Sequence, residues 1–304
     1  MRKPPDPQEI IEIAVELGVA PSFIEKDWYA VQLLGLIASI PTKDMTCVFS
    51  GGTSLSKGYG LIQRFSEDID FKIKASAMPS RAKRRQFRKT VIDLVNAAEG
   101  LRVDDMVFHD GGHFFGLDII YPQMHGLDHS LRPHLKLEMK FLTVPFPTEW
   151  RQISAFVTQF KKDPPDCAIE CVSPVETAAD KLSALIWRLR TRDRSQPPGS
   201  RDNDPTIVRH LHDLCALEKR ALADQNFARA ARRAHCDDSR RGGQVEAPLA
   251  EATMEAWACL LTDPEYEREY AQFVDAMSYA PDAERIEFTA AVAAFSRLTL
   301  PFQQ

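Results

Sequence analysis

Two aspartates separated by a single residue are the most informative feature of the chain. Asp68 and Asp70 lie in the segment R-F-S-E-D-I-D-F, whose alternation of polar and apolar residues predicts a strand. Residues two apart on a strand point to the same face, so we expect the two carboxylates side by side. Such a pair repels, and Mg²⁺, which prefers hard oxygen ligands, would remove that repulsion. The sequence therefore predicts a site for Mg²⁺ or Mn²⁺ here.

A glycine-rich turn precedes the aspartates and suits a triphosphate. Two adjacent glycines let the backbone approach a phosphate without a Cβ atom in the way. Amides at the start of the following helix favour an anion. The predicted nucleotide contacts are Gly51, Gly52, Thr53, Ser54 and Lys57. With a divalent cation this arrangement predicts nucleotidyl transfer, and the alternative is an exposed turn followed by a strand with two solvated aspartates.

A third carboxylate is expected on a neighbouring strand. The segment H-L-K-L-E-M-K predicts a strand with Glu138 between Lys136 and Lys140. Glu138 would complete the metal site or help to deprotonate an acceptor hydroxyl. Asp118 is the alternative candidate, and an ordinary charged strand face is the interpretation without function.

Hydrophobic periodicity predicts the elements that position these residues. Helices are predicted at 7–18, 23–39 and 80–99, and strands at 46–49, 68–72, 101–108, 114–121, 134–142 and 153–160. From Ser173 onward the pattern is helical apart from a loop at 193–204, with S-P-V-E as a helix start. The predicted helices run from 174 to about 192 and over about 205–220, 225–235, 250–261, 264–278 and 282–297. The predicted fold is α+β: an α/β core at 1–170, with a mixed sheet flanked by helices, followed by an all-α C-terminal domain at 171–304.

Composition limits the classes of function. The net charge of −5 argues against indiscriminate binding of polyanions. Six cysteines lack the spacing of a zinc site and predict buried or free thiols. No apolar run approaches the roughly 20 residues of a membrane span, so we expect a cytoplasmic protein. Three arginine-rich stretches, at 81–89, 188–201 and 229–241, suggest an RNA-binding groove or, equally, solvated helix faces.

The glycine turn and the acidic strand together resemble a known family. G-G-T-S-L-S-K followed by R-F-S-E-D-I-D is similar to the first motif of the AbiEii/AbiGii-type nucleotidyltransferase toxins, in the polymerase-beta-like nucleotidyltransferase superfamily. F-I-E-K-D-W (23–28), A-A-D-K-L-S-A-L (178–185) and R-H-L-H-D-L (209–214) resemble later segments of that family. The resemblance covers about 23 to 215, and it implies a nucleotidyltransferase fold.

The resemblance also implies roles for particular residues. Gly52 and Ser54 would hold phosphate, Lys57 would contact the nucleotide, Lys181 would reach the triphosphate and Asp213 would be a distal acidic residue needed for activity. A nucleoside triphosphate (NTP) is the implied substrate, the 3′ end of tRNA the implied acceptor, and an antitoxin the implied partner. Without the resemblance, the four-residue spacing of Arg209 and Asp213 favours a surface ion pair.

Two other classes of function remain open. The same fold could transfer a nucleotide to a protein or a small molecule. The chain could also be a non-catalytic regulator that binds nucleotide or RNA, although binding alone does not require two facing carboxylates.

Overall fold

The computed structural model describes residues 2–41, 44–142, 144–200, 202–242 and 247–302. The chain divides into two compact units, Met1–Val172 and Ser173–Gln304. Over the described residues the first unit has one seven-stranded sheet. Its strands are β1 (Met45–Ser50), β2 (Asp68–Ala75), β3 (Arg102–His109), β4 (Phe114–Ile120), β5 (Leu135–Phe141), β6 (Glu149–Ile153) and β7 (Cys167–Cys171). Their order is β3-β4-β5-β2-β1-β7-β6, with β2–β5 and β1–β7 parallel and the other pairs antiparallel.

Helices bury the apolar side of this sheet. They are α1 (Pro7–Leu17), α2 (Pro21–Ala38), α3 (Gly51–Thr53) with the π-helical turn Ser54–Gly58 behind it, α4 (Arg81–Ala97) and α5 (Phe156–Phe160). Along β5, buried apolar residues alternate with half-exposed polar ones, so one face of that strand joins the core and the other stays open. Phe87 of α4 packs edge-on against Phe141 in that core.

The second unit is helical over its described residues. It contains α6 (Pro174–Thr191), α7 (Val208–Ala223), α8 (Phe227–Gly242), α9 (Leu249–Thr262), α10 (Glu265–Met277) and α11 (Phe288–Thr299). Helix α6 packs against α7, α8 and α9. The predicted helix start is confirmed, because the Ser173 hydroxyl accepts a hydrogen bond from the Glu176 amide at 3.2 Å. The predicted fold class, an α+β unit followed by a helical one, is confirmed.

The predicted strand at 153–160 is wrong. Only Ile153 belongs to a strand, and the rest leads into the short helix α5. Its first amide donors are satisfied from elsewhere in the fold: Asp166 accepts from Ala155 and Asp27 from Phe156. A short apolar run does not distinguish a strand from a helix by periodicity, and the two partners lie 11 and 129 residues away along the chain. Strands β6 and β7 were not predicted, and the helix predicted from 282 begins at Phe288.

No helix in the described part of the chain is both long and apolar enough to cross a membrane.

Candidate active site

The register of the sheet brings three of the predicted carboxylates into one neighbourhood. Asp68 and Asp70 are half-buried and flank the buried Ile69 on β2, so they share the open face. On the adjacent parallel strand, Glu138 is the register partner of Asp70. Asp118 pairs instead with Lys136, one strand beyond β5. The structure therefore places Glu138, rather than Asp118, beside Asp70.

The glycine turn packs directly against Asp70. Gly51 has a φ of 76°, a left-handed conformation that favours glycine. A Cβ atom at Gly51 would lie 2.2 Å from Oδ2 of Asp70, so any side chain here would displace that carboxylate. The Ser50 hydroxyl donates to the Asp70 carbonyl at 3.2 Å. Turn and acidic strand are thus one packed unit.

The hydroxyls of Thr53 and Ser54, which were predicted to contact phosphate, are buried inside the fold. The Thr53 hydroxyl donates to the Asp68 carbonyl at 2.5 Å and lies 3.3 Å from the Ser66 carbonyl. Ser54 is fully buried. A Cβ atom at Gly52 would lie 2.9 Å from the Arg64 guanidinium. Thr53 therefore holds the turn to β2, and the backbone of the glycines remains the part suited to approach a ligand.

The structure places the Lys57 ammonium in a buried ion pair, which the sequence did not predict. It lies 2.5 Å from the Asp27 carboxylate and 3.5 Å from the centroid of the Phe156 ring. Burial lowers the pKa of Lys57 and raises the pKa of Asp27. The charge of Asp27 partly offsets the lowering at Lys57, and the charge of Lys57 partly offsets the raising at Asp27. Contact with a phosphate would require this pair to break, so Lys57 is better placed to position the turn than to bind nucleotide.

Lys181 and Asp213 meet in the second unit. Their side chains form an ion pair at 2.6 Å, with Asp213 fully buried. The predicted surface ion pair between Arg209 and Asp213 is therefore wrong, because the Asp213 side chain is buried in the core. The Arg209 guanidinium lies instead 3.9 Å from the Asp204 carboxylate. Burial, together with the charges of Arg209 and Lys181, lowers the pKa of the neighbouring His210 well below its usual value.

Comparison with known proteins decides the family. The model of the family described as nucleotidyl transferase AbiEii toxin, type IV toxin–antitoxin system, matches residues 32–294. The chain belongs to the AbiEii family of nucleotidyltransferase toxins. Among solved structures, MenT4, a nucleotidyltransferase toxin from Mycobacterium tuberculosis H37Rv, has the same fold at a TM-score of 0.65 and 19% identity, over 96% of this chain and 89% of MenT4. Curated protein sequences contain no match.

Membership of this family makes the protein a transferase, with an NTP as the implied substrate and an antitoxin as the implied partner. Near the glycine turn, helix α2 carries buried charges for which the sequence predicted no role. Glu25, Lys26 and Asp27 are consecutive on α2 and all buried. Charged residues in an otherwise apolar helix were the signal that could have identified them, because buried charges require partners.

Each of these three residues binds segments of the AbiEii-family chain that lie outside α2. Glu25 accepts hydrogen bonds from the amides of Met124 and His125. Lys26 pairs with Glu67 and donates to the Arg132 carbonyl at 2.8 Å. Asp27 pairs with Lys57 and accepts from the Phe156 amide. The α2 clamp, as we call Glu25, Lys26 and Asp27, therefore holds the glycine turn, the residue before β2 and the segment between β4 and β5.

Arg132 is a further residue that the sequence analysis missed. Its guanidinium lies 2.6 Å from the Asp68 carboxylate, while its amide donates to Glu67 at 2.7 Å. Burial works against the charged guanidinium, but Asp68 and Glu67 outweigh it, and the pKa of Arg132 is raised. A protein cation thus neutralises Asp68, as a metal ion would.

The donor atoms on this face are the hard oxygens that a divalent cation such as Mg²⁺ prefers. Asp68, Asp70 and Glu138 supply carboxylate oxygens on one sheet face, and Gly51 leaves room for the Asp70 carboxylate. Among the residues that the structure describes, no group of three His, Cys, Asp or Glu side chains is positioned to hold a metal ion. Glu138 lies 3.3 Å from Lys136 and 3.8 Å from Lys140.

The arginine-rich stretches differ in their surroundings. On α4, Arg84 is buried and donates to the carbonyls of Pro79 and Gly111, whereas Arg81, Lys83, Arg85 and Lys89 are exposed. In the second stretch the arginines pair with acids: Arg188 with Asp204, Arg190 with Glu255, Arg192 with Glu269, and Arg194 with Asp263 and Glu269. Arg201 lies outside the described residues. Of these two stretches, α4 carries more exposed cations.

Proposed function

We propose that this AbiEii-family protein transfers a nucleoside monophosphate from an NTP to the 3′ hydroxyl of an RNA, with tRNA as the preferred acceptor. In this proposal Asp68 and Asp70 bind Mg²⁺ or Mn²⁺, with Glu138 beside them. The packing of Asp70 between the Gly51 turn and Glu138 carries the proposal, because it puts a backbone suited to phosphates against paired carboxylates. Because NTPs and tRNA are cytoplasmic, we place the reaction in the cytoplasm.

The chemistry follows from these groups. The acceptor hydroxyl gives up its proton, to Glu138 or to solvent, and its oxygen forms a bond to the α-phosphorus. The bond between the α-phosphorus and the oxygen that bridges it to the β-phosphorus breaks, and pyrophosphate leaves. A bound divalent cation would orient the hydroxyl and neutralise charge on the pyrophosphate. The backbone of the glycine turn can approach the triphosphate closely, because glycine has no Cβ atom. Exposed cations of α4 support an RNA acceptor through phosphate contacts, and the family resemblance supports tRNA among RNAs.

Label transfer tests the proposal. Purified protein is incubated with total RNA, Mg²⁺ or Mn²⁺ and each NTP separately, in labelled form. We expect label in tRNA from at least one NTP, and a loss of at least about 100-fold in Asp70→Asn. Asp118→Asn is the matched control, since this aspartate lies on the same face but not beside Asp70, and it should retain activity.

Absence of label in RNA with every NTP and either metal would contradict the proposal. Label recovered on a protein or a small molecule would instead support the alternative acceptors. NTP binding without turnover, whichever acceptor is offered, would support the non-catalytic regulator. Loss of toxicity in cells expressing Asp70→Asn is the expected parallel result.

Glu138→Gln separates the two roles of the third carboxylate. If Glu138 is a metal ligand, the concentration of Mn²⁺ needed for half-maximal transfer should rise. If Glu138 accepts the proton of the acceptor hydroxyl, that concentration should stay constant, while the pH dependence of transfer loses its acidic limb.

A further inference from the structure

The open face of the sheet carries a second row of side chains beside the acidic one. In the acidic row, successive register partners are Asp70, Glu138, Gly116 and Val107. Two residues further along the strands, the register partners are Lys72, Lys140, Phe114 and His109. Because residues two apart on a strand share a face, both rows lie on the same side of the sheet. The second row is cationic toward β2 and aromatic toward the β3 edge.

The aromatic members of this row are already stacked. The rings of His109 and Phe114 have centroids 5.7 Å apart and an angle of 10° between their planes. The Lys140 ammonium lies 5.6 Å from the Phe114 centroid. His109 is exposed on an edge strand, while Phe114 is half-buried. We call these two rings and the Lys140 ammonium the stacking ledge.

Gly116 allows the Phe114 ring of the stacking ledge to lie next to the acidic row. A Cβ atom at Gly116 would lie 3.6 Å from Cζ of Phe114 and 3.1 Å from Cγ2 of Val107. The Phe114 ring therefore leans over Gly116, whose register partner on the next strand is Glu138. Strands are spaced about 4.8 Å apart, so Phe114 lies roughly 10 Å across the sheet from the strand of Asp70. This distance is within the span of one nucleotide.

We propose that the stacking ledge of His109, Phe114 and Lys140 binds a nucleobase while its nucleotide reaches the acidic row. Aromatic side chains that stack bases beside cations are the usual means by which proteins hold single-stranded nucleic acid. The base belongs either to the NTP or to the end of the acceptor. The inference deepens the proposed function and rests on it for the identity of the ligand, but it concerns binding and can be tested without turnover.

Fluorescence of 2-aminopurine, which is quenched by stacking, provides the test. One probe is 2-aminopurine riboside triphosphate, and the other is a short single-stranded RNA with 2-aminopurine at its 3′ end. We expect His109→Ala and Phe114→Leu to weaken binding of one or both probes by about tenfold or more. Phe114→Trp should restore binding, because it retains an aromatic face. The probe whose affinity falls identifies the source of the base.

Phe108→Leu is the matched control. Phe108 is an exposed aromatic residue next to His109, but its register partner is the buried Phe115, so it lies on the other face of β3. We expect it to bind both probes as the parent does, and thermal melting of each variant checks the fold.

Two results would overturn the inference. One is unchanged affinity for both probes in His109→Ala and Phe114→Leu. The other is an equal loss in the control Phe108→Leu. A third result separates the two proposals. If the parent protein quenches the probes and the ledge variants bind them more weakly, but no label is transferred to any acceptor, the proposed function fails while the stacking ledge stands.

Discussion

The ion pairs of the first unit form two groups that differ in burial. Asp27 of the α2 clamp and its partner Lys57 have side chains that are only 6% and 7% exposed. On the open face, those of Arg132 and Asp68 are 40% and 27% exposed. Separating a buried pair leaves a charge without solvent, at a cost of about 3–5 kcal/mol. A solvated pair separates for less than about 1 kcal/mol. Buried pairs therefore serve to hold the site, and open-face pairs can exchange a partner for a ligand.

Replacing Lys57 is expected to have the largest effect on stability. Lys57→Met leaves the Asp27 carboxylate buried without its cation, so we expect the free energy of unfolding to fall by about 3–5 kcal/mol. Urea denaturation followed by circular dichroism measures this change. The matched control is Lys89→Met on α4, which breaks the exposed pair with Asp93 and should cost less than about 0.5 kcal/mol.

The double variant Asp27→Asn/Lys57→Met sharpens the distinction. It removes both charges, so we expect it to be less destabilised than the sum of the single variants. If Lys57→Met is as stable as the parent but loses affinity for NTP, Lys57 contacts phosphate after all and the comparison fails.

Gly51→Ala should affect activity more than stability. The left-handed backbone costs an alanine about 1–2 kcal/mol, and its Cβ atom would displace the Asp70 carboxylate. We expect nucleotidyl transfer to fall toward the level of Asp70→Asn. Gly18→Ala has a similar φ of 65° with open space around it, so it should show the same strain without the loss of activity. Equal activity in both variants would mean that the position of Asp70 does not matter.

Arg132→Gln tests whether an open-face pair is exchangeable. In the proposed site the guanidinium would compete with a divalent cation for Asp68, so its removal should strengthen Mn²⁺ binding, as measured by calorimetry. The free energy of unfolding should change by less than about 1 kcal/mol. Weaker Mn²⁺ binding would show instead that Arg132 orients Asp68 for the metal.

The smallest effect concerns pH and extends the comparison to the second unit. Burial and the charges of Arg209 and Lys181 keep the pKa of His210 well below the ordinary histidine value of about 6.5. The unfolded chain therefore takes up a proton that the folded chain does not, and this term lowers stability as pH falls through and below about 6.5. His210→Gln should show a weaker loss between about pH 7 and pH 5.5 in urea denaturation. A dependence identical to that of the parent would contradict this assignment.

The sequence by itself determined many of the elements and the local arrangement of the acidic strand. Asp68 and Asp70 share a face because side chains alternate along a strand, which requires no knowledge of the rest of the fold. Ser173 begins a helix because its hydroxyl caps an amide three residues later. In each of these cases the interacting groups are close together along the chain, where periodicity and capping are informative.

Only the tertiary structure decided which charges meet. Asp27 pairs with Lys57, and Arg132 with Asp68, across long separations in sequence. A lysine beside a glycine turn has the same local sequence whether it points toward a ligand or into the core. Its partner depends on how α2 packs, since a buried charge takes the nearest opposite charge that the fold provides. Strand register likewise placed Glu138, and not Asp118, beside Asp70.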